Sequence, residues 1–202
     1  MDHGLRLWET LVKRTFDLVL SVVGLCLSWW LILIAFILAT VDTRKSGFFM
    51  QTRVGKDGQM FRVIKIRTMR DLPDFNTTVT RDTDPRVTRL GRIWRKTKID
   101  ELPQLINVLL GQMSFVGPRP DVPGFADQLT GEDRIILTVR PGITGPATLK
   151  FRDEEQILAQ QDDPETYNRM VIWPEKVRLN REYVENYSFH QDLKYIWHTI
   201  FG

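Results

Sequence analysis

The chain of 202 residues carries 28 Lys and Arg against 25 Asp and Glu, a formal charge of +3, with 43% hydrophobic and 26% charged residues. That balance excludes a disordered polyampholyte and allows one ordinary domain plus an appendage. A single cysteine, Cys26, excludes an intrachain disulfide, and the three scattered histidines, His3, His190 and His198, show no zinc-ligand spacing.

Residues 18–41 contain no charged side chain, a run of 24 residues where about 20 suffice to span a bilayer. The run is too long for a signal-peptide core and lacks a small-residue cleavage site at its end. Lys13 and Arg14 precede it, and Arg44 and Lys45 follow it, so the positive-inside rule has no gradient to act on. A crossing helix is the default expectation. A re-entrant segment that enters and leaves by one face would satisfy both flanks. Ser28 lies near the middle beside Trp29 and Trp30, without a proline. Asp17, a carboxylate at the membrane edge, is expected to pair with Lys13 or Arg14 about one turn away.

Residues 48–54 and 59–69 read as two strands around the turn Gly55-Lys56-Asp57-Gly58. Lys65 and Arg67 are two apart and project from one face, which is either a wet side of the sheet or part of a site. Residues 72–85 are polar with two prolines and read as a loop. The basic stretch that follows holds Arg86, Arg89, Arg92, Arg95, Lys96 and Lys98, with Leu90, Ile93, Trp94 and Thr97 at the helical period. A short basic helix with an apolar Trp face suits a membrane surface or nucleic-acid phosphates. The adjoining membrane segment favours lipid and no nucleic acid.

Next stands Asp100-Glu101-Leu102-Pro103-Gln104, two adjacent carboxylates ahead of Leu102, Leu105, Ile106 and Leu109 at i, i+3, i+4 and i+7. Pro103 fits a first helical turn, so the acids are expected at a helix N-terminus, the end that attracts phosphate. Capping and dipole matching are the commoner duties of such residues. Two stiff loops follow, Gly117-Pro118-Arg119-Pro120 and Arg140-Pro141-Gly142-Ile143-Thr144-Gly145-Pro146, each presenting a guanidinium suited to phosphate oxygens. Residues 153–165 read as acidic and helical. Helices are expected over residues 173–187 and 192–201, the last with Leu193, Ile196, Trp197 and Ile200 on one stripe facing the core or a membrane surface.

In order and spacing, Lys13-Arg14-x-x-Asp17, Phe61-Arg62-Val63-Ile64-Lys65-Ile66-Arg67-Thr68-Met69, Asp100-Glu101-Leu102-Pro103-Gln104, the run from Gly111 to Pro120 and Val139-Arg140-Pro141-Gly142-Ile143-Thr144-Gly145 resemble the bacterial sugar transferase family, the small monotopic phosphoglycosyl transferases. The resemblance implies an α+β, mostly helical fold. A re-entrant membrane helix within residues 1–45 would precede a small cytoplasmic catalytic domain, residues 46–202, with a β-hairpin and membrane-surface amphipathic helices. The family usually breaks that helix with Ser-Pro, where this chain has Ser28-Trp29.

The resemblance further implies transfer of a sugar-1-phosphate from a UDP-sugar to polyprenol phosphate, with release of UMP. This step opens surface polysaccharide assembly at the cytoplasmic face of the bacterial inner membrane. By similarity, Asp100 is the nucleophile that forms an aspartyl-phosphosugar intermediate, and Glu101 is the Mg²⁺ ligand. Lys65 and Arg119 then neutralise phosphate, while Arg67 and Arg140 are weaker phosphate or nucleotide contacts. The implied partners are the two substrates, downstream glycosyltransferases and a second copy in a homodimer. The residues leave two rivals: a membrane-anchored polyprenyl-diphosphate phosphatase using the same carboxylates, and a membrane-tethered scaffold or nucleic-acid binder using residues 86–98.

Overall fold

In the computed structural model the described residues are 5–71 and 84–202, so most of the polar loop expected at residues 72–85 lies outside them. Helix α1, Leu7–Thr43, runs uninterrupted for 37 residues, about 55 Å at the usual helical rise. Its buried positions, Lys13, Asp17, Ser21, Ile32, Ala35, Ala39 and Thr43, recur at helical spacing and form one narrow stripe. Small residues on that line bring the domain close: a Cβ added to Gly24 would stand 3.1 Å from Leu105 Cδ1. The other faces leave Val19, Val23, Leu27, Trp30, Leu33 and Ile37 exposed. By length and composition α1 is apolar enough to cross a membrane. Ser28 Oγ donates to the Gly24 carbonyl at 2.7 Å, the back-bond by which serine bends a helix, and the helix continues through it.

The charged residues at the start of α1 face the protein. Asp17 is 1% exposed and accepts from Ser114 Oγ at 3.1 Å and the Phe115 N–H at 3.0 Å. The charges of Lys13 and Arg14 still act on Asp17, as expected, but its direct hydrogen bonds go to a distant segment. Lys13 instead donates to Asp192 Oδ2 at 2.5 Å, and Tyr183 Oη donates to Asp192 Oδ1 at 2.7 Å. Near the other end of α1, Arg70 donates to Asp42 Oδ1 at 2.7 Å. One folded domain therefore grips both ends of the helix.

Strands β1, Phe48–Val54, and β2, Met60–Ile66, form the expected antiparallel hairpin, in register from Phe48↔Ile66 to Val54↔Met60. Both faces are used. Phe48 and Ile66 pack with Ile32, Ala35, Ala39 and Trp94, whereas Phe61 and Val63 pack with Val108 and Met113. Helix α2, Arg89–Thr97, begins at Thr88, whose hydroxyl accepts from the Gly91 N–H. Trp94, expected on a membrane-surface face, lies instead in the core under α1, while Ile93 is exposed.

Helix α3, Gln104–Leu109, is locked to the free edge of β2 by Asn107. Its Oδ1 accepts from the Ile64 N–H at 3.0 Å and its Nδ2 donates to the Arg62 carbonyl at 2.8 Å, so a side-chain amide imitates a neighbouring strand. At the other end of α3, Arg14 donates to the Val108 and Leu109 carbonyls at 2.7 and 2.9 Å, satisfying acceptors that a helix C-terminus leaves open.

The two Arg-bearing loops pair through short parallel strands, β3, Ser114–Val116, and β4, Gly142–Thr144. A Cβ at Gly117 would stand 2.4 Å from the Arg140 carbonyl oxygen, and one at Gly142 2.1 Å from Gly117 N, so only glycine lets these loops interlock. Helices α4, Pro146–Lys150, α5, Glu154–Ala159, and α6, Pro164–Tyr167, lead through a π-helical turn, Asn168–Ile172, into α7, Trp173–Glu185. The last helix is α8, Phe189–Phe201. On its expected stripe Ile196 packs against the Tyr183–Val184 cluster, whereas Leu193, Trp197 and Ile200 are exposed. The fold is mostly helical with two small two-stranded sheets.

Replacing the buried Asn107 with Ala leaves the part-buried Ile64 N–H and Arg62 carbonyl without their side-chain partner. The expected cost is roughly 2–4 kcal/mol of stability, read as a lower denaturant midpoint with unchanged slope.

Candidate active site

Helix α2 ends at Lys98, a non-glycine residue in the left-handed region at φ 58°. That turn redirects the chain into a one-turn 3₁₀ segment, Ile99–Glu101, before Leu102 and Pro103 lead into α3. The two acids therefore precede α3 by a separate turn and do not cap it. Asp100 Oδ1 is buried without a hydrogen-bond partner, and the residue is 7% exposed. The expected capping role is absent because the α-helix begins four residues later than the acid, beyond its reach.

Glu101 is held differently. Lys65 Nζ donates to its Oε1 at 2.8 Å, and Arg119 Nη2 stands 3.8 Å from the same oxygen. Burial alone would raise the Glu101 pKa, but Lys65, Arg119 and Lys98 outweigh it and hold the carboxyl at about 2. Asp100 goes the other way. Burial, and then the charge of Glu101, push it up to about 6 against the weaker pull of Lys65, Lys98 and Arg95. Two adjacent carboxyls are thereby separated into a fixed anion and a group that titrates near neutrality, the usual mark of divided chemical roles. Burial also lowers the Lys65 pKa, with Glu101 opposing it.

Lys65 reaches Glu101 because Asn107 sets α3 against β2 next to it. Arg119 arrives on the Gly117-Pro118 turn that follows β3, and its side chain remains 40% exposed. Arg140 does not join them. In a parallel pair the residue before β4 lies beside the residues before β3, and Arg140 Nε donates there to the Gly111 carbonyl at 2.8 Å. Arg67 is also apart, donating to the Ser46 carbonyl at 2.8 Å and lying over the Phe49 ring. Of the residues that the sequence pattern proposed, the structure brings Asp100, Glu101, Lys65 and Arg119 into one cluster and leaves Arg67 and Arg140 bonded to backbone elsewhere.

Residue pattern alone gave no role to three members of this neighbourhood. Gln104 is buried and lines the cleft beside Lys65 and Glu101, and Arg53 lines it from β1. Asp121 lies behind Arg119, and burial raises its pKa to about 6 against Lys176, Arg53 and Arg119. Arg53 shares a strand face with Gln51, a period-two signal that could have been read beside that of Lys65. Asn107 and Asp121 had no such signal. Among the described residues no cluster of three or more metal-ligating side chains occurs.

The bacterial sugar transferase family matches residues 8–202, nearly the whole chain described above. The chain belongs to this family. A Bacillus subtilis sugar transferase, EpsL, itself described as uncharacterized, is 35% identical over 190 residues, covering 94% of this chain and 86% of EpsL. The undecaprenyl-phosphate glucose phosphotransferase of Komagataeibacter xylinus is 39% identical over 201 residues, 96% of this chain but 36% of that protein. The UDP-glucose:undecaprenyl-phosphate glucose-1-phosphate transferase of Caulobacter vibrioides is 35% identical over 194 residues, 93% of this chain and 68% of that protein. The family to which the chain belongs thus includes undecaprenyl-phosphate sugar-phosphate transferases, and the chain spans about a third of the Komagataeibacter relative.

A buried carboxyl with a raised pKa binds more protons folded than unfolded, so stability falls as pH rises from 3.8 through about 6. Asp100→Asn removes that loss. The variant is expected to exceed the parent by up to about 3 kcal/mol at pH 8 and to lose the advantage below pH 4. Denaturant unfolding at the two pH values measures it.

Proposed function

We propose that this chain transfers a sugar-1-phosphate from a UDP-sugar to a polyprenyl phosphate at the membrane, with Asp100 as nucleophile. The observation that carries the proposal is the Asp100 carboxyl, buried and unpartnered at Oδ1, beside a Glu101 clamped by Lys65 and Arg119. A desolvated carboxylate without hydrogen bonds is a stronger nucleophile than a capped one. The relatives' names, which specify undecaprenyl phosphate as the acceptor of a sugar phosphate, support the substrate class.

In the first step an Asp100 oxygen attacks the sugar-bearing phosphorus. The phosphoanhydride P–O bond breaks, and its oxygen leaves on the nucleoside monophosphate. In the second step the acceptor phosphate oxygen attacks the same phosphorus, the acyl-phosphate bond breaks, and Asp100 is restored. Covalent storage lets a soluble donor and a lipid acceptor use one site in turn. Lys65 and Arg119 neutralise the transferring phosphoryl group. Arg140 and Arg67 enter only as outer phosphate contacts, since part of each guanidinium is bonded to backbone.

Two adjacent acids, one with an unpartnered oxygen, fit Mg²⁺, which takes one or two carboxylates and completes its shell with phosphate oxygens and water. Glu101 would hold the ion beside Asp100, and the ion would offset the charge of the diphosphate.

The exposed apolar faces of α1 and α8 support insertion in a membrane. Both ends of α1 are bonded to one domain, through Lys13–Asp192 and Asp42–Arg70. That supports a monotopic arrangement in which both ends of the helix lie on the cytoplasmic side.

With labelled UDP-sugars, polyprenyl phosphate and Mg²⁺, Asp100→Asn is expected to abolish both UMP release and the phosphosugar adduct. In the parent, single-turnover UMP release should fall as the pH is lowered and Asp100 becomes protonated. Inorganic phosphate as the product would favour a phosphatase instead. In a Cys26→Ser background, cysteines placed at Leu7 and Arg44 should both be labelled by an impermeant thiol reagent from the cytoplasmic side. Labelling from opposite sides would require a crossing helix.

A further inference from the structure

Arg53 has no part in the steps above. It stands on β1, and the ladder puts it on the same hairpin face as Gln51, Phe61, Val63 and Lys65. With Lys65, Glu101, Gln104 and Arg119 it lines one cleft. Its guanidinium donates to Gln51 Oε1 at 2.6 Å and to the Pro120 carbonyl at 3.2 Å, both neutral acceptors. Among the described residues, no carboxylate lies within ion-pair distance of it. Burial, and then the neighbouring Arg119, lower its pKa to about 10 against the pull of Asp121, so it remains a cation at neutral pH. A half-buried cation whose hydrogen bonds go to neutral oxygens, with Arg119 beside it and Asp121 beyond ion-pair distance, is stabilised by an incoming anion, and a guanidinium fork fits phosphate.

Its place along the hairpin selects the phosphate. Phe48 and Ile66, at one end of the ladder, pack on α1. Arg53 pairs with Phe61 near the other end, four residues from Lys65, roughly 13 Å along the strand. A polyprenyl tail has its apolar surroundings at α1, so its phosphate approaches from that end. The remainder of a nucleotide donor whose reacting phosphate sits at Asp100 extends along the hairpin face, away from α1.

We propose that Arg53 binds the nucleoside-bearing phosphate of the donor, the group that departs as nucleoside monophosphate. This rests on the transfer reaction proposed above. As the bond from Asp100 to the sugar-bearing phosphorus forms and the phosphoanhydride breaks, the bridging oxygen leaves with the bonding electron pair. Arg53 meets the charge that develops there. Its bond to the Pro120 carbonyl also ties this contact to the loop that carries Arg119.

The test uses the full chain in lipid nanodiscs, with UMP binding measured by calorimetry and the Michaelis constant for undecaprenyl phosphate by turnover. Arg53→Gln is expected to weaken UMP binding about tenfold or more. Arg53→Lys, which keeps the charge but not the fork, should recover part of that loss, and the acceptor constant should stay within about twofold in Arg53→Lys. UMP affinity unchanged in Arg53→Gln overturns the assignment. So does an acceptor constant in Arg53→Lys that rises as much as the UMP dissociation constant, because Arg53 would then serve the acceptor phosphate or the loop. If Arg53→Gln does not fold, Arg53→Lys decides alone: a several-fold loss for UMP with the acceptor unaffected supports the assignment, and no loss refutes it. A parent protein that releases no UMP from any UDP-sugar refutes the underlying reaction. Parent turnover combined with an Arg53-independent UMP affinity refutes only the role of Arg53.

Discussion

The elements that surround the site, α3, β3 and α8, are each tied by hydrogen bonds or an ion pair to one stripe of one helix. Helix α1 is apolar around most of its circumference, yet the domain uses only a narrow line of it, with Ser21, Gly24, Ala35 and Ala39 allowing close approach. At its start the line carries charge instead, and Lys13, Arg14 and Asp17 are spent on α8, α3 and β3 respectively. Burying such groups is costly unless each is paired, and here each is. The same residues that anchor the helix therefore position the elements that surround the site. The faces left over expose large apolar side chains and suit a lipid environment.

The site shows how the same neighbours can drive two adjacent acids apart. Glu101 receives Lys65 directly and Arg119 more distantly, and it stays ionised in spite of burial. Asp100 is buried beside that fixed negative charge and titrates about four units higher. Neither acid could be exchanged for the other, although they are consecutive in the chain. What separates them is the 3₁₀ turn set up by Lys98, which points successive side chains into different surroundings.

Much of the fold was legible in the sequence because local patterns decide it. The hairpin, the two C-terminal helices and the long apolar segment appear where alternation, turn glycines and hydropathy put them. The candidate cluster was legible too, through the ordered motifs around Lys65, Asp100 and Arg119. The misplacements share one cause, that local spacing says nothing about partners far along the chain. Asp17 bonds Ser114 and Phe115 in place of its helical neighbours, and Trp94 turns from the expected membrane surface into the core. Asp100 was expected to cap α3, but the left-handed residue before it moved the start of the helix downstream.

By itself, the sequence determined that a helix long enough for a membrane precedes a basic α+β domain with an Asp-Glu pair and two rigid Arg loops, because periodicity, proline and charge act locally. Only the tertiary structure decided which of the matching arginines serves the pair. Parallel pairing of β3 with β4 carries Arg119 to Glu101 and leaves Arg140 beside Gly111, and the hairpin register brings in Arg53, which no motif had singled out. Register and strand direction are set by contacts between segments far apart in the chain, and spacing along it does not encode them.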